Sequence, residues 1–310
     1  MNEEDGILTF CKAIDSYAAA LAFPLELVFV DDGSTDGTAE RLRHYLFHNV
    51  RSVRLIMLSH NFGSHAALRA GITQASYDIV TWMSADLQEP LEMLPRSYEK
   101  IREGYDAVYI EKKSVGVSGV ERGFSKVYSA LMRKYAVKNY SSGGTSVIVF
   151  NKKIKDLLNR NIESNSSIML QIIDAGFRFC TLSLDFGERK VGASKWTLAK
   201  KIKLFIDSFV SFSFMPIRLV SIIGIIVFAI GLLIGIVTIV GFLLHSGAPL
   251  GYSTLASMIA LGFGITNISL GIIAEYLWRT YDAARGRPVF IISQVTELND
   301  AEAKEDKLPE

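Results

Sequence analysis

The chain has 310 residues, 49% of them hydrophobic, and a formal net charge of +1. A mean hydropathy of +0.26 is too high for an ordinary soluble domain, and the near-neutral charge excludes the basic surface that nucleic acid demands. Two lone cysteines, Cys11 and Cys180, exclude a disulfide scaffold and read as reduced core thiols of a cytoplasmic domain.

Met1-Asn2-Glu3-Glu4 opens directly onto a helical stretch, Gly6 to Ala22, with no pattern of a cleavable signal. Leu25 to Val30 reads as a strand, Thr38 to Phe47 as a helix and Arg54 to Leu58 as a strand. Ser64 to Gln74 reads as a helix and Asp78 to Met83 as a buried strand. Ala107 to Ile110 and Ser146 to Phe150 are further strands. Short apolar strands alternating with helices predict an α/β domain with a mostly parallel sheet covered on both faces. From Trp196 to Phe214, Leu198, Ile202, Phe205, Phe209 and Phe212 recur at three- and four-residue spacing, with Lys200, Lys201 and Lys203 elsewhere on the wheel. This is a helix fit for the membrane interface, or one packed on the soluble domain.

No Asp, Glu, Lys or Arg occurs between Leu219 and Ala274. That leaves room for two bilayer spans of about 20 residues each. They run roughly from Leu219 to Leu244 and from Tyr252 to Ala274, joined by the turn His245 to Gly251. Lys200, Lys201, Lys203 and Arg218 precede the first span, and Arg279, Arg285 and Arg287 follow the second. The positive-inside rule places both termini in the cytoplasm. The tail from Thr296 to Glu310 is charged, apolar-poor and expected to be disordered.

Ligands of α/β sheets bind beyond the carboxyl ends of strands, and three clusters fall there. Asp31 and Asp32 end a strand, before the glycine-bearing turn Gly33-Ser34-Thr35-Asp36-Gly37. Paired carboxylates there suit a base N–H or ribose hydroxyl; the plainer reading is a turn and helix cap. Ser59-His60-Asn61-Phe62-Gly63-Ser64-His65 is a strand-to-helix turn that could face the same edge. Asp86, in Ser84-Ala85-Asp86-Leu87-Gln88-Glu89-Pro90, suits Mg²⁺ or Mn²⁺, which takes the rest of its shell from water and substrate phosphates. The plainer reading is a helix-capping Asp. A fourth cluster, Glu188 to Lys195, is a basic loop fit for a diphosphate or a lipid phosphate.

Together, Asp31-Asp32-Gly33-Ser34-Thr35-Asp36, Asn61-Phe62-Gly63, Asp86-Leu87-Gln88-Glu89-Pro90 and Arg189-x-x-Gly192-x-Ser194-Lys195-Trp196 resemble the family 2 glycosyltransferases of the GT-A fold. With two C-terminal spans the chain resembles the polyprenyl-phosphate hexosyltransferase branch, which includes bactoprenol glucosyltransferases and dolichol-phosphate mannose synthase. The resemblance covers about residues 2 to 292. It implies a GT-A domain over 1–195, an amphipathic helix over 196–216, two spans over 217–280 and a cytoplasmic tail over 281–310. It also implies an inverting transferase in the inner (plasma) membrane, moving a hexose from a UDP-linked donor to a polyprenyl phosphate.

The same resemblance assigns roles. Asp31 and Asp32, with Asn61 and Gly63, would hold the donor nucleoside, and Asp86 the Mg²⁺ or Mn²⁺ on its diphosphate. Gln88 would sit near the donor sugar or acceptor phosphate, and Arg122, Arg189 and Lys195 would contact the acceptor phosphate. Three departures stand out. Only Asn2-Glu3-Glu4 remain of a usual opening strand and Pro-x-Tyr-Asn-Glu-Glu, so a strand expected to be central in the sheet is missing, and either the true start lies upstream or the chain is damaged. Ser84 stands at the first position of the frequent Asp-x-Asp, and Ser146 where relatives often carry a base. An acceptor phosphate has a second pKa near ~6 and is already largely ionised at pH 7, so it needs no base.

The rivals are a processive polysaccharide synthase, whose Gln-x-x-Arg-Trp is here Gln171-Ile172-Ile173-Asp174, and a degenerate nucleotide-sugar-binding partner subunit. Gly231-x-x-x-Gly235 would permit close helix packing in a homo-oligomer. The topology carries its own test. A cysteine at Ser246, in a background without Cys11 and Cys180, should label from the outer face of intact cells. Labelling only after lysis would refute it.

Overall fold

The structure, a computed structural model, describes residues 1–113, 145–163, 167–187 and 251–298, with isolated helical positions at 130, 134 and between 220 and 240. The chain divides into two units, Met1–Leu204 with Pro288–Glu310, and Phe205–Arg287. In chain order the elements are α1 (Glu4–Ala18), β1 (Glu26–Asp31), α2 (Thr38–His44), β2 (Ser52–Leu58), α3 (Ser64–Gln74), α4 (Met93–Arg102) and β3 (Ala107–Lys112). There follow β4 (Thr145–Phe150), α5 (Lys152–Arg160), α6 (Ile168–Asp174), β5 (Phe179–Leu184), α7 (Tyr252–Arg285) and β6 (Ile292–Glu297).

The first unit holds two three-stranded sheets, ordered β1-β2-β6 and β4-β3-β5. β1 runs parallel to β2, with Asp31 beside Met57, so the carboxyl ends of both strands share an edge. β3 is parallel to β5 and antiparallel to β4. Ala107 to Ile110 are buried on both faces, as a central strand requires. The pairing is mixed, where the sequence predicts a mostly parallel sheet: β6 also pairs antiparallel, with β2.

Two expectations are corrected here. Asp78 to Met83 does not form a strand. It makes one antiparallel bridge, in which Val80 and Phe150 exchange two backbone hydrogen bonds of 2.9 Å. The Thr81 hydroxyl donates to the Ile148 carbonyl at 3.1 Å. Among the described residues, neither this segment nor β1 has a second strand neighbour. A strand inside a parallel sheet is held from both sides; with one side supplied, the ladder stops at one bridge and the sheet stays in two halves. The second correction concerns the C-terminus. Residues 292–297, read as tail, are β6, and the Leu298 N–H donates to the Val53 carbonyl at 2.8 Å. The β6 segment is short and polar, and forms because the edge of β2 accepts it.

α1 buries Ile7, Phe10, Cys11, Ile14 and Ala18, the three-and-four spacing of an amphipathic helix. They pack with Leu42, Phe47, Val50, Val53, Leu55 and Leu298. Phe10 meets Phe29 of β1 edge-on at 6.0 Å. Met83, Ala85 and Leu87 pack on this same cluster, which seats the Asp86 turn. Burial pushes the Cys11 thiol up to about 12, so it stays protonated; Cys180 is also a free thiol but only half-buried. Arg69, 3% exposed, donates to the Gln171 side chain at 2.6 Å and to the Leu158 carbonyl, joining α3 to α5 and α6.

The second unit contains α7, 34 residues long. At 1.5 Å per residue that is roughly 50 Å, longer than the ~30 Å hydrocarbon core. Residues Leu261–Arg285 are long and apolar enough to cross a membrane. The helix therefore continues beyond Ala274, where the sequence reading ends the second span. The Glu275–Arg279 pair at 2.9 Å supports this extension, and left-handed Gly286 ends it. Half of the first span, the interface helix over 196–216 and the tail from 299 onward lie outside the described residues.

Two glycines separate close approach from backbone freedom. Gly33 has φ +69, and a Cβ there would sit 2.8 Å from the Asn61 nitrogen. Gly63 has φ +93 with nothing within 4 Å. Gly33→Ala should cost about 2–4 kcal/mol, since backbone strain and a clash add, and Gly63→Ala about 1–2. Thermal unfolding of the two purified variants should rank them in that order; equal losses would contradict the contact.

Candidate active site

The first cluster forms where β1 meets the turn between β2 and α3. Asp32 is 6% exposed. One carboxylate oxygen accepts from the Phe62 N–H at 2.7 Å and the other from the Gly63 N–H at 2.9 Å. Gly33 lets the two backbones touch, because any side chain would strike His60 and Asn61. Asp32 is thus fully engaged in holding the His60–Gly63 turn.

Asp31 differs. Its Oδ1 accepts from the Ser34 N–H at 3.2 Å and from the Ser34 hydroxyl. Its Oδ2 is buried without a hydrogen-bond partner. An unsatisfied buried acceptor costs about 1–3 kcal/mol, more when charged, and a ligand N–H or O–H would recover that. The paired aspartates therefore divide, Asp31 with one oxygen unpartnered and Asp32 with both oxygens engaged.

The N-terminal residues seat on the turn after Asp32. The Asn2 N–H donates to the Ser34 hydroxyl at 2.9 Å, and the Asn2 side chain accepts from the Thr35 N–H at 3.0 Å. The Glu4 N–H donates to Asp36 at 3.2 Å, while the Glu4 carboxylate accepts from the Gly37 N–H at 3.0 Å. Each carboxylate thus satisfies orphan N–H groups at the start of the other's helix, α1 or α2. Asn61 is exposed, and its side-chain amide contacts Met1.

The second cluster is the Asp86 turn. The Leu87 N–H returns to the Ser84 carbonyl at 3.4 Å, and Leu87 sits at φ +55, a left-handed position rare for a branched residue. Asp86 Oδ1 accepts from the Gln88 N–H at 3.3 Å. The Gln88 carbonyl accepts from the Gly187 N–H at 2.9 Å, tying this turn to the chain after β5. Glu89, 6% exposed, accepts from the Ser84 N–H at 3.2 Å and the Ser84 hydroxyl at 3.0 Å. Burial raises the Glu89 pKa, the Ser84 hydrogen bonds pull it back in part, and the Asp86 charge raises it further. The sequence reading passed over Glu89 as a site residue. Its only signal was an acid three residues after Asp86.

Among the described residues no three His, Cys, Asp or Glu side chains gather to hold a metal. One carboxylate with hard oxygen chemistry still fits Mg²⁺ or Mn²⁺ when phosphates and water supply the other ligands. The structure brings Asp31, Asp32, Asn61 and Gly63 together and holds Asp86 and Gln88 in one turn. Arg122, Arg189 and Lys195 lie outside the described residues. Ser146 is in β4, and its side chain is likewise outside them.

Residues 2–168, more than half of the chain, match the family described as Glycosyl transferase family 2. The chain belongs to this family. Asp31, Asp32 and Asp86 all fall within the matched residues. Among family 2 relatives, an undecaprenyl-phosphate 4-deoxy-4-formamido-L-arabinose transferase of Proteus mirabilis is 29% identical over 95% of this chain and 91% of its own. The protein of the same name from Edwardsiella ictaluri is 28% identical over 99% and 95%. A solved mannosyltransferase from Pyrobaculum calidifontis, in complex with GDP-Man and Mn²⁺, is 18% identical, with a TM-score of 0.43 over 91% of this chain and 85% of its own.

The divided aspartates make opposite predictions for a family 2 enzyme. Asp32→Asn should lower stability by about 2 kcal/mol, because an amide cannot accept at both positions. Asp31→Asn should leave stability within about 1 kcal/mol yet weaken UDP binding at least tenfold, because it removes the acceptor offered to a ligand. Thermal unfolding and calorimetric UDP titration of both variants separate the two roles. The reverse pattern would show them exchanged.

Proposed function

We propose that this chain is a membrane-anchored, inverting glycosyltransferase that moves a sugar from a nucleotide donor to a polyprenyl phosphate. The observation that carries this reading is the end-to-end match to transferases named for undecaprenyl phosphate, over 95% of this chain and 91% of the relative. Asp31 at the end of β1 and Asp86 in the Ser84–Glu89 turn provide the chemistry it needs.

In this reading an acceptor phosphate oxygen attacks the anomeric carbon. A new carbon–oxygen bond forms as the bond to the donor diphosphate breaks, on the opposite face. The acceptor has a second pKa near ~6 and enters ionised, so no residue at 146 must take a proton. Asp31 Oδ2 accepts from the donor base, and the Asp32-held turn with Asn61 and Gly63 borders it. Asp86 holds a divalent cation, Mg²⁺ or Mn²⁺, which when bound neutralises charge on the departing diphosphate. Gln88 stands beside it, and Arg122, Arg189 and Lys195 hold the acceptor anion.

The sugar is left at the level the relatives share. The sequence reading proposes a hexose on UDP, whereas the relatives are named for a modified arabinose, a pentose. α7 supports the membrane reading. Near its C-terminal end Trp278 and Tyr281 are exposed and in ring contact at 5.8 Å, with Arg285 over the Tyr281 ring at 5.3 Å. Aromatic rings beside cations mark a bilayer–water boundary. With Arg279 and Arg287 they support a cytoplasmic position, at the plasma membrane, for that end and for the β6 segment that follows it in the chain. The two-span arrangement over 217–280 belongs to the same proposal. A second reading, nucleotide-sugar binding without transfer, is favoured by the division of the sheet beside β1.

Membranes containing the chain should convert a labelled nucleotide sugar into a lipid-extractable product in the presence of Mn²⁺ and undecaprenyl phosphate, with UDP-hexoses and UDP-pentoses compared side by side. Asp86→Asn should reduce this at least a hundredfold, about 2.7 kcal/mol of transition-state stabilisation. Arg189→Ala and Lys195→Ala should each cost more than Ser146→Ala. No lipid product from any donor would favour the binding-only reading, and full activity in excess chelator would remove the metal role.

A further inference from the structure

The Ser84–Glu89 pair has no part in the reaction as drawn so far, yet it is built into the Asp86 turn. Glu89 is 6% exposed, and a buried carboxylate is retained only where something compensates its burial. Here Ser84 compensates both oxygens, with its N–H at 3.2 Å on one and its hydroxyl at 3.0 Å on the other, beside a backbone contact at Glu89 itself. These bonds close a ring of six residues, from Ser84 to Glu89, around Asp86. Within that ring Leu87 is held at φ +55, and such strain persists only where its surroundings over-determine it.

Two consequences follow. The clamp sets the direction of the Asp86 carboxylate, since the Asp86–Gln88 contact lies inside the ring. It also places a second carboxylate, that of Glu89, in the same turn as Asp86. In the resemblance described above, an aspartate often occupies position 84 itself. Here the hydroxyl at 84 passes its proton towards Glu89, so the charge missing from 84 stands one side chain away. A hydroxyl that donates to a carboxylate is also a stronger electron-pair donor at its own oxygen.

We infer that Glu89 is a positioning residue for the cation site, acting through Ser84 to replace the first carboxylate of an Asp-x-Asp pair in both geometry and charge. This rests on the reading of Asp86 as the cation carboxylate. It differs from a purely structural role, which would require only a well-formed turn.

The test is Mn²⁺ binding to the full chain in detergent with saturating UDP, followed by the electron paramagnetic resonance of free Mn²⁺, alongside thermal unfolding in excess chelator. Glu89→Gln, which keeps the shape and can still bond to Ser84, should weaken Mn²⁺ about tenfold with little change in unfolding temperature. Adding Ser84→Asp to that variant should restore affinity to within threefold of the parent, because the carboxylate returns to position 84. Unchanged Mn²⁺ affinity in Glu89→Gln overturns the assignment. So does a loss of affinity that Ser84→Asp does not recover, which marks Glu89 as structural. Should Glu89→Gln fail to fold, Ser84→Ala decides: it keeps the N–H bond and loses the hydroxyl. A threefold or greater loss of Mn²⁺ affinity supports the clamp, and no loss overturns it. A parent chain that binds no Mn²⁺ overturns the reading of Asp86 and this assignment with it; a parent that binds while the variants are indifferent overturns the assignment alone.

Discussion

Both oxygens of Asp32 are held by the backbone N–H groups of Phe62 and Gly63, at 2.7 and 2.9 Å, and the candidate site depends on this contact. Charge-assisted bonds of this kind contribute roughly 1.5–3 kcal/mol each. They join the carboxyl end of β1 to the turn that starts α3, two places that β-pairing alone leaves free to diverge. Once joined, the neighbouring Asp31 is committed to the edge with one oxygen on Ser34 and the other buried without a partner. The engaged aspartate thereby fixes the position of the one with an unpartnered oxygen. Gly33 is the condition for both, since only a missing side chain lets the two backbones approach.

Around this joint the chain repeatedly uses side-chain carboxylates on backbone N–H groups. Asp36 and Glu4 cap each other's helices. Asp15 accepts from the His48 and Asn49 N–H groups and pins the loop before β2. Glu89 closes the Asp86 turn. Each anchor satisfies donors that helices and turns leave orphaned.

The divided sheet shows how far such anchors reach. β1 and the Val80 segment are each paired on one side only, among the described residues. The cluster that holds α1, β1 and the Asp86 turn together is apolar, and apolar packing is non-directional. It seats the turn beside β1 but cannot impose the register a ladder would.

The sequence by itself determined what local chemistry determines. Period-two and three-and-four patterns placed β1, β2, α3 and β3 within a few residues, because each element's buried face is written in its own spacing. That Asp31, Asp32, Asn61 and Gly63 would share one edge was legible because a strand end, a glycine turn and a charge coincide. The charge-free stretch from Leu219 to Ala274 was legible from composition. Tertiary structure decided whatever needed a distant partner. The β6 strand exists because β2 offers an edge some 230 residues away in the chain, at the separation of Ser293 from Met57. The Asp78–Met83 strand does not form, and among the described residues that segment is paired on one side only, by a single bridge to Phe150. The division of labour between Asp31 and Asp32, identical letters side by side, came only from which oxygens meet an N–H. Burial of Glu89 against Ser84 came the same way, since no periodicity announces a carboxylate folded back on its own turn.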